Sequence, residues 1–119
     1  MKKILIVTFI LVMLSAIGSL LASKLIEDGF SLSVSPEEFE RTTTISVNLI
    51  ENMEVNLVIL DEKDIVVKVL FQGTLKSGET LFTWDGTDYK GSRLTEGKYQ
   101  VELSGMAKYT SLKKIIILK

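Results

Sequence analysis

The chain has 119 residues, room for one domain, and its 46% hydrophobic and 24% charged content supplies enough apolar material for a packed core. It contains no cysteine and no histidine, which excludes a disulfide framework, thiolate chemistry, a lipid-bearing cysteine, the usual general base and most zinc sites. The formal net charge is −1, and a weakly acidic chain lacks the clustered lysine and arginine that nucleic-acid backbones require.

Residues 1–22 stand apart. Lys2 and Lys3 form a basic start, and Ile4 to Ile17 is apolar apart from Thr8 and Ser15. This is the order of a secretory signal peptide. Ala16 and Gly18 put small residues at −3 and −1 for cleavage before Ser19, and Ala22 is a second end. The same run is close to the roughly 20 residues that cross a bilayer, so an uncleaved anchor helix is the alternative. Both readings place the rest of the chain outside the cytoplasm: periplasmic, cell-surface or secreted. Residues 23–29 read as a short tether, and residues 30–119 as the folded domain.

From Phe30 onward apolar residues alternate with polar ones, the period of a half-buried strand. Phe30, Leu32 and Val34 form one run, stopped by Pro36. Glu37 to Arg41 has room for at most one helical turn. Ile45, Val47 and Leu49 form a second run, and Val55, Leu57 and Ile59 a third, separated by a turn at Glu51-Asn52. After the polar turn Asp61-Glu62-Lys63-Asp64, Ile65 to Phe71 is a fourth strand, apolar on both faces and broken by Lys68. Gly73 and Ser77-Gly78 punctuate the next connection. Leu81 to Trp84, Lys98 to Leu103 and Thr110 to Leu118 complete the set. About seven short strands with turn signals roughly every 8–12 residues describe an all-β, immunoglobulin-like antiparallel sandwich, preceded by the apolar N-terminal helix.

The densest pattern lies between Phe82 and Val101. Trp84 brings a large amphipathic ring to the end of a strand. Asp85-Gly86 is a tight-turn pair, and Asp88, Gly91 and Gly97 give further turns. Tyr99 begins a strand two residues after Gly97, the spacing of a tyrosine corner, with Val101 where antibody domains hold their second cysteine. These residues read first as folding chemistry. The segment Trp84-Asp85-Gly86-Thr87-Asp88, with Gly91, Gly97, Tyr99 and Val101, resembles the FlgD-type Ig-like domain of bacterial flagellar hook-capping proteins, a module that also closes secreted and cell-surface proteins. The strand Val55 to Leu60, the following Ile65 to Leu70, and Leu75-Lys76-Ser77-Gly78 fit the same family. Its usual glycine before the fourth strand is replaced by Lys63-Asp64.

The resemblance implies a non-catalytic module with a structural or protein-binding role in an extracytoplasmic assembly, a flagellar one included. No catalytic, cofactor or metal residue is assigned. Phe30 to Ser35 and Thr110 to Leu118 are the candidate edges for a partner strand. The alternative is a carbohydrate- or calcium-binding accessory module. Asp85, Thr87 and Asp88, or Asp61, Glu62 and Asp64, would supply oxygen ligands, and Trp84, Tyr89 and Tyr109 would supply sugar-stacking rings.

Overall fold

A computed structural model describes residues 29–105 and 110–119. The expected signal or anchor helix, the tether as far as residue 28, and Tyr109 lie outside the described residues. No helix of the described residues is long and apolar enough to cross a membrane.

Eight strands follow in order: β1 (Phe30–Ser35), β2 (Glu38–Phe39), β3 (Thr43–Leu49), β4 (Met53–Leu60), β5 (Val66–Leu75), β6 (Gly78–Trp84), β7 (Gly97–Gly105) and β8 (Thr110–Leu118). They form a three-stranded sheet, β1-β3-β6, and a five-stranded sheet, β2-β8-β7-β4-β5. The apolar residues predicted by alternation point between them. Ile45, Val47, Leu57, Ile59, Val101, Leu103 and Ile116 are fully buried, and one core cluster includes residues from both sheets. Each such aliphatic side chain contributes roughly 1.5–3 kcal/mol of transfer free energy. Sheet-on-sheet packing of this kind is the immunoglobulin-like sandwich.

Two expectations are corrected. The sandwich is not wholly antiparallel: β2 runs parallel to β8, with Glu38 beside Ile117 and Phe39 beside Leu118. It has eight strands rather than seven, because the segment after Pro36 is extended. Ile117 N–H donates to the Glu37 carbonyl at 2.8 Å and Lys119 N–H to the Phe39 carbonyl at 2.9 Å. These bonds to β8 capture a segment that has no alternation of its own, where the sequence left room for at most one helical turn.

The fourth strand is also longer than expected and passes straight through Gly73. Its register against β4 slips twice, leaving Leu70 and Val67 as extra residues opposite Leu57/Val58 and Ile59/Leu60. Two bulges explain why this strand read as apolar on both faces: each extra residue reverses the inward and outward sides. Before it, Asp64 adopts φ +62°. The aspartate takes a left-handed conformation, which Asp tolerates better than most residues.

Urea denaturation should separate core from surface. Leu57→Ala, at a fully buried position, is expected to cost about 2–5 kcal/mol. Ile50→Ala, at a position 55% exposed, should stay within about 0.5 kcal/mol of the parent.

Candidate functional site

Trp84 ends β6 fully buried. Its ring packs edge-on against Phe39 of β2, with centroids 5.4 Å apart, and against Tyr99 of β7 at 5.6 Å. The indole therefore joins the smaller sheet to two strands of the larger one. Its Nε1–H donates to the Thr87 carbonyl at 3.0 Å, because a buried indole donor without a partner would be costly. Thr87 lies only three residues on, so the chain must turn at once.

Asp85 and Gly86 make that turn. Asp85 Oδ1 accepts from Thr87 N–H at 3.2 Å and from the Thr87 hydroxyl at 2.5 Å. The hydroxyl bond holds the Asp85 carboxyl below its ordinary range. Gly86 has φ +77°, and a Cβ there would lie 2.8 Å from an Arg93 nitrogen and 3.0 Å from Leu118 Cδ1. Both the backbone angle and the space demand glycine at this position. Asp88 repeats the pattern: its Oδ1 accepts from Lys90 and Ser92 N–H at 2.9 and 3.0 Å. The Tyr99 hydroxyl donates back to the Thr95 carbonyl at 2.7 Å, which is the tyrosine corner. Val101 is fully buried on the same strand. Gly91 and Gly97 take φ +83° and +152°. Asp85, Gly86, Asp88 and Gly91 thus lie in one turn system that follows Trp84, while Gly97, Tyr99 and Val101 lie on β7.

Three residues outside the motif hold this system in place. The Arg93 guanidinium donates to the Asp85 carbonyl at 2.9 Å, to the Lys119 carbonyl at 3.3 Å and to the Glu40 carbonyl. It ties the loop after β6 to the segment after β2 and to the end of β8. Lys68 Nζ donates to Thr87 Oγ1 at 2.9 Å and to the Asp88 carbonyl at 3.4 Å. Tyr89 N–H donates to the carbonyl of Val67, the bulge residue of β5, at 2.9 Å. In sequence Arg93 is one more loop cation and Lys68 an interruption. The one clue is that a charge inside an apolar strand needs somewhere to go.

The ligand candidates fare differently. Asp61 Oδ1 accepts from Lys63 and Ile65 N–H at 2.8 and 3.0 Å. One carboxylate oxygen of Asp61, Asp85 and Asp88 is therefore committed to its own turn. The described residues contain no group of three or more histidine, cysteine, aspartate or glutamate side chains arranged to hold a metal ion. Trp84 is buried and presents no face to a sugar, while Tyr89 is 74% exposed beside Lys90. Of the two candidate partner edges, Phe30 to Ser35 is an edge strand, whereas Thr110 to Leu118 is bordered by β7 along its length and by β2 at its end.

The family model of the FlgD Ig-like domain matches residues 31–108. Comparison with curated proteins returns no match. Among solved structures, FlgD from P. aeruginosa is 27% identical with a TM-score of 0.50, over 65% of this chain and 60% of that one. Latent PorU from Porphyromonas gingivalis is 15% identical with a TM-score of 0.59, over 75% of this chain and 9% of that one. PorZ, described as an essential surface component of the type-IX secretion system of the same organism, is 19% identical with a TM-score of 0.53, over 83% and 12%. At 15% and 19% identity the last two report on the fold alone. This chain spans less than two thirds of each of those proteins.

Arg93→Lys keeps the charge but loses the planar fork, and it should destabilise by about 1–3 kcal/mol in urea melts. Thr87→Val removes the hydroxyl that depresses Asp85, so the Asp85 carboxyl resonance should titrate at higher pH by NMR. The sign follows from the depressed folded value. The carboxylate's contribution is present above the unfolded pKa and fades as pH falls through the folded one. In Thr87→Val that acid loss of stability should shrink.

Proposed function

This chain belongs to the FlgD Ig-like domain family, and from that premise we propose that it works as a non-catalytic structural module, exported from the cytoplasm, that binds protein partners in an extracytoplasmic or cell-surface assembly. The observation that carries this reading is how the polar groups of its motif are used. The carboxylates, the tyrosine hydroxyl, the indole N–H and the guanidinium of the 84–99 segment all bond to the protein's own loops. They are spent on holding one backbone shape. The chain also lacks histidine and cysteine, leaving few groups for acid–base or nucleophilic chemistry.

The exposed sheet edges and outer faces remain for interaction. Backbone groups at a sheet edge bind extended segments without needing a pocket. The leader supports export, with residues 1–22 as signal or anchor, residues 23–29 as tether and residues 30–119 as the working domain. The FlgD likeness makes a flagellar assembly one setting for such a module. The description of PorZ as a surface component of a secretion system makes other surface machinery another.

The test is fractionation of cells expressing the native chain, with protein crosslinking before lysis and intact mass on the product. We expect a species beginning at Ser19 or Ser23 in the extracytoplasmic fraction, crosslinked to a protein. A full-length species retained in the membrane would recast the module as anchored. A cytoplasmic product without a protein adduct would overturn the proposal.

A further inference from the structure

Among the described residues the sandwich has four edge strands, and three of them are guarded. β2 is only two residues long, which gives a partner little ladder to pair with. β1 stops at Pro36, and Lys113 and Lys114 of β8 line the groove beside it with Ser33, Val34 and Glu37. β5 is twisted by two bulges, and its Val67 carbonyl is already taken by Tyr89 N–H. Bulges, prolines and lysines are the devices by which edges are closed to pairing.

β6 has none of them. It pairs with β3 through seven consecutive residues, Gly78 to Trp84, without a register slip. It contains no proline and a single charge, Glu79, whose carboxylate accepts from the Ser46 hydroxyl at 3.0 Å. At its midpoint Leu81 is 60% exposed on the outer face. Thr80 and Phe82, on the inner face, are only partly covered. Phe82 rests on Phe71 at 5.7 Å at the rim of the core.

We propose that β6 pairs antiparallel with β6 of a second copy of this chain, about a two-fold axis at Leu81. The strand is complementary to itself in this register. Leu81 meets Leu81 of the other copy, so two exposed leucines cover each other. Glu79 falls opposite Thr83, and Thr80 opposite Phe82, so no like charges face across the ladder. The two Glu79 carboxylates end up four residues apart along the strands, about 13 Å at the rise of a β-strand. That exceeds the roughly 8 Å screening length at physiological salt. Exposed Lys76 and Asp85 flank the strand at opposite ends. Antiparallel pairing therefore carries each copy's lysine toward the other's aspartate, whereas parallel pairing would set like charges together. The product is a continuous six-stranded sheet, β1-β3-β6 joined to its symmetry mate. A ladder of this length is a small interface of the weak, concentration-dependent class.

The inference deepens the proposed assembly role by naming one partner, and it rests on that role. The natural chain has no cysteine, so single-cysteine variants of the full chain report cleanly. Paired residues in an antiparallel ladder lie within disulfide reach. Leu81→Cys should therefore form a disulfide dimer on mild oxidation, at least about tenfold more than Val69→Cys on β5 or Ser33→Cys on β1. Glu79→Cys mixed with differently tagged Thr83→Cys should crosslink as a heterodimer, while Glu79→Cys alone should not. Leu81→Lys, at an exposed position that leaves the core intact, should abolish concentration-dependent association in sedimentation velocity. Equal trapping at all three edges, or Glu79→Cys homodimers as abundant as the mixed pair, would overturn the pairing. A parent chain that stays monomeric at high concentration would do the same. If these fail while the cellular crosslink to another protein persists, the self-pairing falls and the assembly role stands.

Discussion

The burial of one indole sets much of the rest. Trp84 lies at the end of β6 with its ring between Phe39 and Tyr99 and its N–H in the core. That N–H needs an acceptor, and the available one is the Thr87 carbonyl. To return that carbonyl, the chain must reverse within three residues. The reversal requires positive φ at Gly86 and a side chain at position 85 that can satisfy the exposed amide of residue 87. An aspartate followed by glycine meets both needs. The motif is therefore the consequence of placing a large amphipathic ring at a strand end, and its residues need no ligand to explain them.

The loop so created is also a joint. It leaves β6 in the smaller sheet and bonds to β5 in the larger one through Tyr89 N–H and Lys68. Arg93 then fastens it to the segment after β2 and to the end of β8. A sandwich without disulfides must fix the relative position of its sheets by packing and polar contacts alone. Here the aromatic trio supplies the apolar contact, and the guanidinium supplies several directional bonds from one side chain, a geometry that lysine lacks. The short parallel β2–β8 pairing is fastened at the same corner, where Lys119 and Glu38 form an ion pair at 2.9 Å.

Alternation made β3, β4 and β7 legible in the sequence because each has one buried and one wetter face, and β1 legible by its alternating serines, although Ser31 is buried along with Phe30 and Leu32. The Trp84 turn and the Tyr99 corner were legible because their residue types are dictated locally. What escaped depended on partners far along the chain. Glu38 and Phe39 become a strand only because β8 lies beside them, and nothing local announces it. Gly73 looks like a turn but continues β5 at φ +148°. The bulges at Val67 and Leu70 blurred the period that marks a strand. Arg93 gave no signal at all, since its three acceptors are backbone carbonyls whose proximity only the fold creates.

The same distant contacts decide which edges stay open. The bulges that blurred the alternation of β5 also twist its edge, and the carbonyl of its bulge residue Val67 is capped by the loop that Trp84 requires. Closing the core at the Trp84 corner thus closes the β5 edge as well. β6 gains no such cover, because the loop leaves its end toward β5 rather than folding back along it. An edge left regular and uncharged over its central residues, in a molecule that guards its others, is where this fold has kept backbone hydrogen-bonding capacity in reserve.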